Sequence, residues 1–453
     1  MTPQKTTEEV LAKAEEQGNA ALAEGLELAA ATEPAEAAKA APALKPKSKL
    51  MLILAAMGPG IVTAMAGNDA GGIAAYSTLG AEFGFQGLWI LPIMCVLLAI
   101  VQLTAGKMGA VTGKGFAANI REKFGIRPTA LAMLALLIGN VATTFAQFAG
   151  IAAGMNMFGV PTWVSVIVAA IAVWLLISGG NYQRVERVFL ILSFVFVTYI
   201  IAAVMAKPDW GAALAGTVVP TFVPSVSFVS LTISIIGTTI APWMMFYYQS
   251  NVVEKGTGTD EMLSVRVDAI SGTIAACIVA WFIIVTTGAV LFPAGIHIED
   301  ASDAAMALAP FAGDYAKILF AVGLVSASFL AACVLPLTSA YVICEAFGWE
   351  AGVEFSFKEA PQFRSIYTFI IVFSALIVLI PNINLMGVML FAQFLNGIIL
   401  PVLLVFMALI VADKHIMKSY VAGRITLVLL WATIGIVVVL TIIVLVMQVL
   451  GIG

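Results

Sequence analysis

The chain has 453 residues, of which 61% are hydrophobic and only 11% charged, with a formal net charge of −4 and a mean hydropathy of +1.05. A soluble domain carries about 25% charged residues, so the composition argues against a water-soluble enzyme or a nucleic-acid-binding module and places the chain in a lipid bilayer. The four cysteines (Cys95, Cys277, Cys333 and Cys344) fall in apolar runs without disulfide or zinc spacing, and two histidines (His297 and His415) leave little for a His-built transition-metal site.

Residues 1–49 are rich in Ala, Glu and Lys and end in Pro42-Ala43-Leu44-Lys45-Pro46-Lys47-Ser48-Lys49. Nothing in them builds a core, and they read as a cytoplasmic tail outside the transport machinery. The first 38 residues contain no apolar run of the kind a secretion signal needs.

From Leu50 onward the hydropathy predicts an all-α integral membrane protein with about eleven spanning segments, near 50–79, 86–108, 129–157, 161–179, 187–206, 226–250, 265–292, 315–347, 365–381, 385–411 and 421–450. With the N-terminus inside, Lys107, Lys114, Arg121, Lys123, Arg127, Arg184, Arg187, Lys255, Arg266, Lys358, Arg364, Lys414, Lys418 and Arg424 all fall inside. Only Lys207 and Lys317 fall outside, with the acidic residues Glu299, Asp300, Asp303 and Asp314. This asymmetry satisfies the positive-inside rule, and an odd number of spans places the C-terminus outside a multi-pass protein of the cell membrane.

The first segment is broken at Gly67-Asn68-Asp69-Ala70-Gly71-Gly72. A carboxylate at bilayer depth is expensive and faces a bundle interior or a water-filled path. Glycines beside it let the backbone leave the helix and turn carbonyls toward a cavity. Asp69 is therefore the candidate cation ligand, with a buried, hydrogen-bonded structural carboxylate as the competing reading. Asn68 either offers an amide oxygen to the ion or its water, or caps the broken helix.

The sixth segment carries a second break, Ile236-Gly237-Thr238-Thr239-Ile240-Ala241-Pro242-Trp243. Pro242 removes a backbone donor and disfavours helix at Ala241, and Gly237 loosens the preceding turn. Thr238 and Thr239 are expected to re-satisfy carbonyls freed by Pro242. Breaks in segments one and six predict two inverted five-helix halves, over 50–206 and 207–411, with the ion site between them and residues 412–453 forming a final span and outer C-terminus.

These residues resemble the NRAMP family of divalent-metal transporters, over most of the membrane region. The family's Gly-Pro-Gly lead-in to helix 1 stands at Gly58-Pro59-Gly60, and its Asp-Pro-Gly-Asn break falls on Asp69-Ala70-Gly71-Gly72. Its cytoplasmic Val-Thr-Gly-Lys stands at Val111-Thr112-Gly113-Lys114, and its Met-Pro-His break falls on Ala241-Pro242-Trp243. The resemblance implies a LeuT-like inverted-repeat fold, a divalent cation as cargo rather than cofactor, the lipid bilayer and no nucleic acid as partner, a monomer, and no enzymatic activity.

Departures from the family pattern bear on specificity. The family's soft methionine ligand becomes Ala241, which offers only a backbone carbonyl, and its asparagine ligand becomes Gly72. An all-oxygen site suits Mg²⁺, Ca²⁺ or Mn²⁺ rather than soft metals, and a roomy site with one carboxylate suits a Mg²⁺ that keeps several waters. The family's proton-route histidine becomes Trp243, and its helix 3 acids fall on Thr144 and Gln147, none of which titrates near neutrality. The resemblance is therefore closest to the NRAMP-related magnesium transporters, which implies uncoupled uptake of a largely hydrated Mg²⁺, with Mn²⁺ also accepted.

Gln393 resembles a family glutamine that joins the metal site, with a helix–helix hydrogen bond as the competing role. The same competition applies to Asn396. Tyr247, Tyr248 and Gln249 are candidates to line an aqueous vestibule, and Glu345 and Asp268 are expected to pair with Arg or Lys near the inner interface. The alternatives weighed are a proton-coupled Mn²⁺/Fe²⁺ symporter, a Na⁺-coupled amino-acid symporter and a membrane-embedded hydrolase. An amino-acid carboxylate would be repelled by Asp69. Aspartyl proteolysis needs two carboxylates sharing a site, and only one deep acid is present.

Overall fold

The computed structural model describes residues 67–179, 198–353 and 355–450. The tail 1–49, the first half of segment one with Gly58-Pro59-Gly60, the start of segment five with Arg184 and Arg187, and the Asp314 side chain lie outside the described residues. The described residues form helices joined by turns and loops, without strands. In chain order the helices are α1 (Ala70–Phe83), α2 (Ile90–Thr112), α3 (Phe116–Phe124), α4 (Ile126–Asn156), α5 (Thr162–Ser178), α6 (Thr198–Ala206), α7 (Trp210–Val218), α8 (Val226–Thr239) and α9 (Pro242–Glu254). They continue with α10 (Met262–Val290), α11 (Ala301–Ala305), α12 (Ala309–Ala312), α13 (Ala316–Phe347), α14 (Pro361–Val378), α15 (Leu385–Val411), α16 (Lys414–Met417) and α17 (Arg424–Val449).

Among the described residues eight helical stretches are long and apolar enough to cross a bilayer, counting α8 and α9 as one stretch over Val226–Glu254. The helix α5 adds a shorter apolar one. Large side chains that these helices turn outward, among them Trp163, Val168, Leu175, Val372 and Leu376, form an exterior suited to lipid rather than water.

Buried side chains cover the whole circumference of α1 from Ala70 to Ala81, as expected of a helix that is small or apolar on every side. It is enclosed by α4, α8, α10 and α15. The long α4 packs most extensively against α13 and α15, and α8 lies along α15. Small residues permit the α8–α15 crossing. A Cβ at Gly237 would stand 2.1 Å from the Gln393 carbonyl oxygen and 2.4 Å from the Gly397 nitrogen, and one at Gly397 would stand 2.5 Å from the Ile233 oxygen. Gly237 therefore acts as a packing residue inside α8, not as a loosened turn.

One end of the bundle gathers the basic loops. Lys114 pairs with Glu122 at 2.7 Å and Lys123 with Asp413 at 2.9 Å. The hydrogen bond from Lys123 holds the Asp413 carboxyl below its usual range. Here Val111-Thr112-Gly113-Lys114 ends α2, with Gly113 in the left-handed region at φ 62°, where glycine carries no Cβ penalty. The Lys114 carbonyl accepts from Gln249 Nε2 at 2.8 Å, and the Gly115 N–H donates to Glu345 Oε1 at 2.9 Å. This loop thus ties the end of α2 to α9 and α13. Glu345 is used as a backbone acceptor, not in the expected ion pair, because the N–H that opens α3 needs a partner at that depth. Arg364, likewise expected near the interface, is buried and donates to the Phe355 and Val353 carbonyls, both at 2.9 Å, and to Tyr367 Oη at 2.8 Å.

Replacing Gly237 by Ala should lower stability by about 1–3 kcal/mol, the usual range for overpacking, because the atoms in the way are backbone. Gly423→Ala, with nothing within 4 Å of its Cβ position, serves as the control. Thermal unfolding in detergent reads both, and equal melting curves for the two variants would disprove the close crossing.

Candidate cation site

The predicted break at Ala241 parts α8 from α9, and at the other predicted break α1 begins at Ala70, the residues before Gly67 lying outside the described ones; the two junctions differ in construction. Asp69 is extended (φ −74°, ψ −175°) and is the N-cap of α1, accepting from the Gly72 N–H through Oδ1 at 2.9 Å. An Asp at this position satisfies an otherwise unpaired donor of the first turn. Ala70, Gly71 and Gly72, expected within an unwound stretch, are instead the first turn of α1, since the cap at Asp69 starts the helix one residue later. Asn68 is not the cap. Ala241 is extended (φ −64°, ψ 136°) ahead of Pro242, the first residue of α9, as expected for a residue preceding proline. The Ala241 carbonyl accepts from Met244 N–H at 3.0 Å.

The two breaks are bonded to each other. Thr238 Oγ1 donates to the Gly67 carbonyl at 3.2 Å, and Tyr76 Oη lies 2.9 Å from Thr239 Oγ1. The threonines of the sixth segment thus serve the first segment rather than the carbonyls freed by Pro242. Gly72 sits against this junction: a Cβ there would meet the Gly67 oxygen at 2.6 Å and Thr238 Oγ1 at 2.8 Å. Any side chain at position 72 would push on a backbone carbonyl.

Asp69 is 4% exposed and is surrounded by neutral donors. Oδ2 accepts from Gln147 Nε2 at 2.7 Å, and Oδ1 accepts weakly from Gln393 Nε2 at 3.4 Å. The orientation of each amide is set by its far side. Gln147 Oε1 accepts from the Ala70 N–H at 3.2 Å, which leaves its nitrogen for the carboxylate. Gln393 Oε1 accepts from Asn396 Nδ2 at 3.2 Å, and Asn396 Nδ2 also donates to Thr143 Oγ1 at 2.7 Å. Gln147 Nε2 reaches the Thr143 carbonyl at 3.2 Å, closing a ring through Thr143, Gln147, Asp69, Gln393 and Asn396. Gly71 makes room for it, since a Cβ there would lie 2.0 Å from Gln393 Nε2.

The structure therefore brings Asp69, Gln147 and Gln393 together. Thr144 stands apart, its hydroxyl donating back to the Asn140 carbonyl at 2.6 Å. Thr143 is the member of the ring that sequence reasoning missed. The polar spacing of Asn140, Thr143 and Gln147 at i, i+3 and i+7, one face of α4, was the available signal. Asn68 is buried, its Nδ2 without a partner among the described residues, and lines a cavity of about 10 Å³ with Gly67, Tyr76, Thr239 and Cys277. That is close to the space one water needs.

A larger cavity, 720 Å³, opens at the end of the bundle that holds the Lys114–Gly115 loop, between α9 and α13, with Tyr247, Asn251, Glu254, Thr338 and Glu345 in its wall. Trp243 is buried one turn nearer the break and meets Tyr247 edge to face at 5.8 Å. Of the three residues expected to line a vestibule only Tyr247 does so. Tyr248 Oη donates to the Val265 carbonyl and Gln249 to Lys114, because both project to the α2–α10 side of α9.

The chain matches the sequence profile of the family described as natural resistance-associated macrophage protein-like over residues 60–447. Among curated relatives, the divalent metal cation transporter MntH of Yersinia pestis (strain Pestoides F) is 29% identical over 311 residues, 67% of this chain and 75% of that protein. MntH of Erwinia tasmaniensis is 27% identical over 309 residues, 66% and 74% respectively. Among solved structures, the Eremococcus coleocola manganese transporter superposes with a TM-score of 0.70 at 21% identity, covering 89% of this chain and 88% of that one. MhsT in complex with L-phenylalanine gives 0.56 at 14%, covering 88% and 98%. These superpositions support the inverted-repeat fold.

Gly71→Ala should displace Gln393 from the carboxylate and lower stability by about 1–3 kcal/mol, and most of that loss should vanish in a Gln393→Ala background. A double-mutant cycle followed by thermal unfolding measures this. Strict additivity would refute the close contact of positions 71 and 393.

Proposed function

Because the chain belongs to the natural resistance-associated macrophage protein-like family of divalent-metal transporters, we propose that it moves a divalent cation through the Asp69 ring by alternating access, with Mg²⁺ as the preferred cargo and without proton coupling. The observation that carries this reading is the company Asp69 keeps. Among the described residues the side chains hydrogen-bonded to its carboxylate are the amides of Gln147 and Gln393, with no thioether, imidazole or second acid among them.

A cation at Asp69 would find one hard anionic oxygen. Rotation of the Gln147 and Gln393 amides turns Oε1 toward the ion in place of Nε2, supplying neutral oxygens, and the Ala241 carbonyl adds a further oxygen once its bond to Met244 relaxes. Asn68 and the Gly67 carbonyl border the same junction and can receive a water of the hydrated ion. Gly72 contributes space rather than a donor. Such an all-oxygen set with retained water suits Mg²⁺ and admits Mn²⁺. Ala70, Gly71, Gly237, Pro242 and Trp243 position these groups.

Thr144 and Gln147 exchange no protons near neutral pH, and neither does Trp243. Uptake then runs on the ion gradient and the membrane potential, which supplies about 4.6 kcal/mol per divalent ion at about 100 mV. With the basic loops on the cytoplasmic side, the vestibule bordered by Tyr247 and Glu345 is the inner path.

A second reading is proton-coupled transport of Mn²⁺ or Fe²⁺. The comparisons favour its cargo over Mg²⁺: a similar solved structure is described as a manganese transporter, and curated relatives are divalent metal cation transporters. Ala241, Gly72, Trp243 and Gln147 are the positions at which this chain departs from the coupled pattern.

Flux into proteoliposomes carrying a Mg²⁺ or Mn²⁺ dye and an internal pH dye separates the two. Saturable Mg²⁺ entry at constant internal pH is expected, and it should be abolished in folded Asp69→Ala protein. Ala241→Met alone should not confer Fe²⁺ transport, because Gly72 and Trp243 still differ. Mn²⁺ entry with acidification and no Mg²⁺ flux would establish the second reading instead.

A further inference from the structure

A cavity of 190 Å³ lies away from the ion path, walled by α2, α10, α15, α17 and the short turn after α16. Its chemistry is graded along one axis. Lys107 and Arg266 stand in its wall, near the last turns of α2 and the first turns of α10, so both cations sit at the end of the bundle where the basic loops gather. Ile100 and Leu103 also belong to the wall. Ile100 lies about 10 Å further along α2 from Lys107, toward the middle of the span, at 1.5 Å per residue.

No acidic residue lines this cavity. Among the described residues the ion pairs are Lys114–Glu122 and Lys123–Asp413, so Lys107 and Arg266 enter none. Two cations that enter no ion pair among the described residues, in the wall of a largely apolar cleft between membrane helices, attract an anion that brings its own hydrocarbon. The Tyr420 and Thr426 side chains, also in the wall, bring hydroxyl donors suited to phosphate oxygens.

We propose that this cavity is a binding site for an anionic glycerophospholipid. Its phosphate lies between Lys107 and Arg266, and an acyl chain runs along Ile100 and Leu103. The lipid spans α2 and α10 on one side and α15 and α17 on the other, so its occupancy ties together helices that the chain joins only through long connections.

The test uses the purified full chain in neutral detergent, stripped of lipid and titrated with phosphatidylglycerol, phosphatidylcholine or inorganic phosphate. Retained lipid is counted by native mass spectrometry, and melting temperature is read in parallel. Phosphatidylglycerol should be retained and should raise the melting temperature, whereas phosphatidylcholine and phosphate at the same concentration should do neither. Lys107→Gln with Arg266→Gln should weaken phosphatidylglycerol binding roughly thirtyfold, and Arg266→Gln alone, at an exposed position that leaves folding intact, roughly fivefold. Unchanged retention in the Arg266→Gln protein would overturn the proposal. Protection by inorganic phosphate equal to that by phosphatidylglycerol would overturn it too, in favour of a free-anion site.

Discussion

One buried carboxylate organises the centre of this molecule. Asp69 is buried, where an unsatisfied charge is costly. Around it are the Gly72 N–H, the Gln147 amide and the Gln393 amide. Each donor comes from a different helix, so satisfying Asp69 draws α1, α4 and α15 to one point. The cradle is neutral, and its two side-chain amides, Gln147 and Gln393, can either donate or accept. Such a shell holds a carboxylate by hydrogen bonding and can also turn oxygen toward a cation, which an Arg or Lys partner could not do.

The remaining packing makes that convergence possible. Gly71 leaves space for Gln393, Gly72 for the Gly67 carbonyl, and Gly237 and Gly397 let α8 lie against α15. Thr238 and Thr239 bond across to Gly67 and Tyr76, so the two interrupted segments meet through side chains as well as by proximity. The Lys114–Gly115 loop, pinned by Gln249 and Glu345, joins α2, α9 and α13 beside the vestibule. A shift of α9 relative to α13 would therefore be felt at this loop, and Trp243 with Tyr247 stands between the vestibule and the break.

Several residues took roles other than those their chemistry suggested in isolation. Glu345 accepts from a backbone N–H instead of pairing with a cation, and Arg364 donates to loop carbonyls and Tyr367. In both cases a partly buried backbone group takes the charged side chain as its partner. Tyr248 and Gln249 turned from the vestibule for a geometric reason, since only Tyr247 of that run lies on the α13-facing side of its helix.

The hydropathy and breaker residues alone determined the all-helical membrane class, the interruption at Ala241-Pro242 and Asp69 as the buried acid that opens α1. Spans follow from local composition, and proline, glycine and a lone deep carboxylate act within a few residues of themselves. Only the tertiary structure decided that Ala70, Gly71 and Gly72 are helical, that Thr143 and Asn396 close the ring and that Gln147 is the nearest partner of Asp69. It also decided that Lys107 and Arg266 share a cavity. The helical start at Ala70 follows from the local Asp69 cap, whereas the ring joins Asp69 to residues 78 and 324 positions away in the chain. Helix periodicity says which face a residue occupies, but which faces meet depends on how close the small residues of α1, α8 and α15 allow the backbones to approach.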